Sequence, residues 1–392
     1  MSEIVVLSAA RTPFGSFQGA LAAVPAWSLG ATAIRGALAR AAVDPAGVSD
    51  VLMGCVLSAG QGQAPARRAA LAAGLPPAVR TVTVNKVCGS GLQTVIQAAQ
   101  ALAAGAGTLI VAGGMENMSQ APYLLPKARD GYRLGHQQVV DSLVADGLWD
   151  PYNDISMGAC AEQCAARYAF SREEQDAYAI ESFRRANAAQ QEGRFAGEIA
   201  PVEVAAAKGG ATRVEQDEGP GKVKYDRIPG LKPSFQADGT ITAANASTLN
   251  DGAAALLLTT AAHARAQGLA PVARLVAFGG HAQEPLWFTT APVQAARNAL
   301  AAAGWKAEDV DLWEVNEAFA VVPLAFAREL GVPRDRLNVR GGAISLGHPI
   351  GASGARLLVA LISALRERGL KRGVAAICIG GGEGLAACVE LP

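Results

Sequence analysis

The chain has 392 residues, 51% of them hydrophobic and 17% charged, with Gly 44 and aromatic residues at 5%. At roughly 150 residues per domain this length fits two or three units, and the composition fits an α/β protein of Ala-rich helices and Gly turns. The 34 basic and 34 acidic residues cancel, which excludes a global field that would gather nucleic acid or an anionic membrane, so any anion must be bound locally.

The N-terminal stretch MSEIVVLSAARTPFG has an acidic residue before its short apolar run, unlike a signal or transit peptide. No apolar run approaches the roughly 18 residues that span a bilayer. A cytoplasmic protein is expected, with its six cysteines as thiols rather than a disulfide framework.

Along the chain, the first signal is an internal repeat. Segment 33–56 resembles 295–318, with Arg35, Ala37, Leu38 and Val48 falling on Arg297, Ala299, Leu300 and Val310. Ser90-Gly91 falls on Ser353-Gly354, and GTLIVAGGMEN (107–117) parallels RGVAAICIGGGEG (372–384). Each copy reads as strand, helix, strand, helix, strand. Leu92, Val95, Ile96, Ala99 and Leu102 give a helical period over 92–102, while LIVA and VAAICI read as strands buried on both faces. Two α/β halves, roughly 1–119 and 266–392, are expected to pack together. Between them lies an insertion with a charged helix starting at Ser171, where Glu174 completes a capping box, and a Pro/Gly/Lys-rich stretch near 207–240. It reads as a lid or binding unit.

Four places carry candidate chemistry. Cys88 stands before a glycine-rich turn that opens a helix, where unpaired N–H groups and the helix dipole favour a thiolate. On local sequence a nucleophile and a small buried thiol are equally good readings of it. His348, in GGAISLGHPIGASGARLL (341–358), sits on a rigid loop from which a base could act on a thiol, although a loop histidine is more often a solvated residue. Cys378 ends an apolar strand just before consecutive glycines, where N–H groups can hold an oxyanion; its bland reading is a core cysteine, as Cys55 and Cys388 are read. Asn316, in WEVNEAFA (313–320), could orient a water or a carbonyl oxygen, or cap a turn. His136, His263 and His281 receive no role. The glycines of CGSGLQT fit no dinucleotide fingerprint, no phosphate loop occurs, and Cys160 and Cys164 lack a second ligand pair for zinc.

Taken together, SAARTPFG, NKVCGSGLQ, GGMENMSQAPY, ANASTLNDGAAA, WEVNEAFA, GGAISLGHPIGASGAR and CIGGGEG occur in the order of the thiolase family, which the chain resembles nearly end to end. It is most similar to short-chain members that join two acetyl-CoA molecules or cleave acetoacetyl-CoA. The alternative is a 3-ketoacyl-CoA thiolase for longer or 2-methyl-branched substrates. The resemblance implies an α/β fold of five layers, αβαβα. It implies an N-terminal half over 1–119 completed by about 249–265, an inserted loop domain over 120–248 that covers the site and binds coenzyme A, and a C-terminal half over 266–392.

Roles follow by motif. Cys88 matches the acyl-carrying nucleophile, His348 its base and Cys378 the second acid/base. Asn316 matches a residue that holds a water in one oxyanion hole beside His348; the N–H groups of Cys88 and Gly380 match the other. Ser247 matches a pantetheine contact, and Lys222, Lys224 and Arg227 fall where relatives hold the nucleotide end. Met157, Phe288 and Phe319 fall around the substrate. Acyl-CoA and coenzyme A are the implied partners, as substrates; no cofactor is implied, and no metal. The tyrosine of the potassium-dependent branch falls at Phe183, which speaks against a potassium site. A homodimer or dimer of dimers is implied, with GYRLGHQQ (131–138) in a tetramer-forming loop. Ser156 replaces a frequent histidine, and Glu383 stands where the family often has an apolar residue or an amide.

Overall fold

The computed structural model describes residues 2–206 and 209–392. The N-terminal half runs through β1 (Ile4–Arg11), α1 (Ala26–Ala41), β2 (Asp50–Gly54), α2 (Pro65–Ala72), β3 (Arg80–Val84), α3 (Ser90–Ala103) and β4 (Leu109–Asn117). The insertion carries α4 (Met157–Tyr168) and α5 (Arg172–Gln191). The chain then re-enters the first sheet as β5 (Asn250–Thr260), followed by α6 (Ala261–Ala266). The C-terminal half is β6 (Ala273–Ala282), α7 (Ala291–Ala303), β7 (Leu312–Val315), α8 (Val321–Leu330), α9 (Ile350–Arg368), β8 (Arg372–Ile379) and β9 (Glu383–Glu390).

Hydrogen bonding links the strands continuously in the order β7-β8-β9-β6-β1-β5-β4-β2-β3; the part from β1 to β3 is the first sheet and the part from β7 to β6 the second. The halves meet where β1 pairs with β6 at Ile4↔Leu275, Val5↔Arg274 and Val6↔Ala273. β5 lies between β1 and β4, pairing Arg11↔Ala254 on one side and Asp251↔Asn117 on the other. Three cores fill the spaces between layers. One joins α1 and α2 to the first sheet. A central one places Leu92, Val95 and Ile96 of α3 beside Leu357, Leu358 and Leu361 of α9, among Ala254, Leu256, Ile377 and Leu385. The third packs α7 and α8 on the second sheet and takes in Cys160 and Cys164 of α4. The sequence is thus helix, sheet, central helices, sheet, helix.

Central position explains the composition of α9. Every residue from Ile350 to Ile362 is buried, as expected for a helix covered all round rather than on one stripe. Gly91 lets α3 come close to it: a Cβ there would stand 2.8 Å from Ala355 N.

The halves are less alike than the repeat suggests. α3 begins at Ser90 rather than Leu92, and the first half contains α2 and β3 in addition to the five expected elements. In the second half the stretch between α8 and α9 makes only isolated bridges, Trp313↔Leu337 and Val339↔Gly341. Asn338 stands there with φ 48°. Its side chain accepts from Val315 N at 2.8 Å and donates to Val315 O at 2.8 Å, taking the place of a ladder and turning the chain into a loop. In the insertion the capping box forms: Ser171 Oγ accepts from Glu174 N at 3.1 Å and Glu174 Oε2 accepts from Ser171 N at 2.8 Å. No helix among the described residues is long and apolar enough to cross a membrane.

Candidate active site

Between β3 and α3 the chain makes a strained turn. Val87 adopts φ 45°, a left-handed conformation that is costly for a β-branched residue and persists only where its surroundings enforce it. Asn85 Oδ1 accepts from Val87 N at 3.0 Å, and Ser90 Oγ accepts from Lys86 N at 2.8 Å while donating to Val87 O at 2.6 Å. The turn presents Cys88, half-buried, at the start of α3. Burial pushes its thiol up to about 12; the backbone N–H groups of Gly380 and of Cys88 itself oppose that rise, and the charge of Glu116 adds to it. The backbone of Gly380, from the other half, therefore lies close enough to the Cys88 sulfur to act on its charge.

His348 is buried, and burial followed by the charge of Arg356 lowers it to about 3. Its tautomer follows from its neighbours. Ser353 Oγ donates to Pro349 O at 2.9 Å, so its 2.6 Å contact with His348 Nδ1 requires the ring to donate. On the other side, Arg356 Nη2 can only donate, which turns Asn316 Oδ1 toward it at 3.4 Å and Asn316 Nδ2 toward His348 Nε2 at 3.4 Å. Nε2 is left with its lone pair, the form a base needs.

Cys378 lies near the end of β8, fully buried. Burial raises its thiol well above the ordinary value, and a charge on Cys88 raises it further. Asn316 follows β7, with its N–H on Ala376 O at 2.9 Å. Gly380 begins the turn after β8, and a Cβ there would lie 3.5 Å from Met157 Cε and 3.6 Å from Val87 Cγ1. The structure thus brings Cys88, Gly380 and Cys378 close together, and joins Asn316 and His348 in one network that is tied through Ala376 to β8, the strand carrying Cys378.

Supporting residues went unnoticed in the sequence. Glu116 is wholly buried and accepts from Val56 N, Leu57 N and Gly351 N at 3.1, 3.1 and 2.9 Å, with the Cys55 thiol at 3.7 Å. Burial, opposed by those donors, raises it to about 7. Glu317 accepts from Tyr178 and Ser182 hydroxyls at 2.8 Å each, from Asn338 Nδ2 at 2.9 Å and from Ile344 N at 3.1 Å, fixing the loop that leads to His348. Asn250 Oδ1 accepts from His348 N at 3.0 Å. Gly347, at φ 116°, leaves that amide room: a Cβ would stand 2.3 Å from Asn250 Cγ. Ser353, Glu116, Glu317 and Asn250 all lie in stretches quoted for other residues, and nothing in those stretches marks their own partners.

The insertion supplies the rest of the surroundings. Lys222, Lys224 and Arg227 line a cavity of about 330 Å³ with Phe183, Val223, Ile228, Leu231, Thr248 and Ile344. Lys222 Nζ is already 3.0 Å from both Glu218 Oε1 and Ser16 Oγ. Ser247 is not among the lining residues; its N–H holds Ala318 O at 2.9 Å, and its neighbour Thr248 lines the cavity instead. Phe319 meets Phe288 edge-on at 6.4 Å and Phe235 at 5.9 Å. Met157 packs in the same cluster as Cys378, Phe288 and Phe319. Ser156 caps α4, accepting from Ala159 N at 3.2 Å. Among the described residues no group of three His, Cys, Asp or Glu is arranged to hold a metal ion.

Two thiols whose charges reach one another, and a buried imidazole with a free lone pair, are groups that acyl transfer through a cysteine can use. The thiolase N-terminal domain matches residues 4–262 and the thiolase C-terminal domain residues 269–391. The chain is 50% identical over 391 residues to acetyl-CoA acetyltransferase 2 of Arabidopsis thaliana, covering 99% of this chain and 97% of that one. It is 49% identical to the acetyl-CoA acetyltransferase of Cupriavidus necator, with both chains covered in full at 100%. The crystal structure of the Acat5 thiolase of Ascaris suum in complex with coenzyme A superimposes with a TM-score of 0.94 at 42% identity, covering 100% of each chain. The protein belongs to the thiolase family.

Proposed function

We propose that the protein is an acetyl-CoA C-acetyltransferase. It joins two acetyl-CoA molecules into acetoacetyl-CoA and coenzyme A, and catalyses the reverse thiolysis, through an acetyl-Cys88 intermediate. The observation that carries the reading is the Cys88 thiol at the N-terminus of α3, with Gly380 and Cys378 of the other half close enough to act on it.

In the resting site both thiols and the imidazole are neutral at pH 7, since the thiols are raised and the histidine is lowered. His348 Nε2 takes the Cys88 proton as the sulfur attacks the thioester carbonyl, and the N–H groups of Cys88 and Gly380 stabilise the oxyanion. Coenzyme A leaves as a thiolate and takes the proton of Cys378. The acylated Cys88 cannot ionise, so no charge on it opposes the Cys378 thiolate. That thiolate removes a Cα proton from the second acetyl-CoA, whose enolate oxygen lies against His348 and Asn316. The enolate carbon attacks acetyl-Cys88, a carbon–carbon bond forms, and the departing Cys88 sulfur recovers its proton from His348. Every proton is carried by the chain's own groups, and coenzyme A is a substrate.

Segment 120–248 is proposed to hold coenzyme A. Lys224 and Arg227 offer charge for its phosphates, the apolar lining of their cavity suits the pantetheine arm, and the Ascaris suum relative was crystallised with coenzyme A. The Phe288–Phe319–Phe235 contacts favour a short acyl group. Exposed Tyr123, Leu134 and Val139 in the same segment fit a homo-oligomer. Incubation with acetyl-CoA is expected to leave an acetyl mass on the peptide containing Cys88; an unmodified peptide under turnover conditions rejects the proposal.

A further inference from the structure

Glu383 occupies the first position of β9, beyond the turn that begins with Gly380. That turn is glycine throughout, with φ 90° at Gly381 and 86° at Gly382, so no side chain of its own fixes it. Backbone contacts hold its base: Ile379 pairs with Glu383, and Gln283 N donates to Gly382 O at 2.9 Å. Both lie within the C-terminal half. The sulfur that the Gly380 N–H must face belongs to the N-terminal half.

A single polar side-chain link among the described residues joins that turn's strand pair to the Cys88 turn: Lys86 Nζ binds Glu383 Oε2. Lys86 lies two residues before Cys88 and precedes the strained Val87. The pair is partly exposed, with side-chain accessibilities of 26% and 39%, so its effect on overall stability is small. Its effect on geometry is local, because it ties the glycine turn to the one segment against which Gly380 has to be aligned.

We propose that Glu383 is a positioning residue: through Lys86 it latches the Gly380–Gly382 turn onto the nucleophile turn and keeps the Gly380 N–H directed at the Cys88 sulfur. The inference deepens the proposed acyl-transfer site and rests on it for its catalytic meaning. The geometric claim is independent of which substrate the site accepts.

Alkylation of Cys88 by iodoacetamide tests it without turnover, the labelled peptide being quantified by mass spectrometry. Positioning and bulk electrostatics predict opposite signs. Removing an anion next to Lys86 leaves the lysine charge uncompensated, which by charge alone favours the thiolate and speeds alkylation. Loss of the latch withdraws the Gly380 N–H and slows it. Glu383→Ala is therefore expected to slow alkylation at pH 8 roughly two- to fivefold, the range set by a partly exposed ion pair. Glu383→Gln, whose amide oxygen still accepts from Lys86, is expected to fall between Glu383→Ala and the parent. Lys86→Met is expected to slow it too, and adding Glu383→Ala to Lys86→Met should cause no further change, since the latch is already broken. Faster or unchanged alkylation in Glu383→Ala overturns the proposal, as does an additive double variant. If the latch behaves as expected but no variant or parent forms acetyl-Cys88, the acyl-transfer reading fails and the positioning stands.

Discussion

Glu116 of β4 accepts the backbone N–H of Gly351 at 2.9 Å, so a carboxylate of the first half caps the helix that follows the histidine of the second. The same carboxyl accepts from Val56 and Leu57 in the first half. It is the point at which the loop ahead of α2 and the start of α9 are locked together. Replacing it with glutamine leaves one accepting oxygen for three backbone donors.

Glu116→Gln is accordingly predicted to lose about 3 kcal/mol of stability or more, the cost of leaving buried donors unpaired. The loss has a pH dependence with a definite sign. Glu116 is raised from 4.5 to about 7 in the folded protein, so its contribution is full below pH 4.5 and fades as pH rises through 7. The stability gap between parent and variant, from urea unfolding, should be larger at pH 5 than at pH 8. A gap that widens with pH would contradict this account of the site.

Ser353→Ala removes the acceptor that holds His348 Nδ1–H at 2.6 Å. With the ring free to exchange tautomers and turn, kcat for acetoacetyl-CoA thiolysis is predicted to fall tenfold or more, since one lost hydrogen bond of about 1.4 kcal/mol is a factor of ten in rate. KM should change little, because Ser353 touches the base and not the substrate. Steady-state kinetics separate the two, and a loss confined to KM would assign Ser353 to binding.

Cys88 is predicted to react as a thiol. With the group pushed up to about 12 and His348 lowered to about 3, a preformed thiolate–imidazolium pair is disfavoured in the free enzyme. The rate of alkylation by iodoacetamide should climb about tenfold per pH unit between pH 7 and 9, following the thiolate fraction. A plateau beginning near pH 6 would reveal a stable ion pair instead.

Phe288→Ala opens the wall that Phe288 forms with Phe319. The ratio of kcat/KM for a longer 3-ketoacyl-CoA to that for acetoacetyl-CoA is predicted to rise tenfold or more, the scale of one or two methylenes in an apolar pocket. An unchanged ratio would move the limit on chain length elsewhere.

Much of the arrangement was legible in the sequence because duplication leaves a pattern: the segments around Cys88 and His348 align through Ser90-Gly91 and Ser353-Gly354. Strand ends were legible as apolar runs stopped by glycines, which located Cys378. What stayed hidden was whatever depends on contacts between distant segments. Nothing local in GGMEN says that Glu116 meets Gly351, and nothing in NEAF says that Glu317 gathers Tyr178, Ser182 and Asn338. In the sequence Glu383 is only a departure from the family pattern, because its partner Lys86 lies 297 residues away and meets it only in the fold. Positive φ at Val87 was invisible for the opposite reason, since β-branched residues ordinarily avoid that region.

The burial of α9 on every side ties chemistry to cohesion. In most folds binding and catalytic groups sit on segments that open locally at little cost. Here Ser353 lies in the first turn of the enclosed helix and His348 just ahead of it, so exchange of amide hydrogens around them requires opening of the central layer itself. The groups that transfer protons stand in a part of the chain that should be among the last to admit deuterium, and loss of activity in denaturant reports the collapse of the whole molecule.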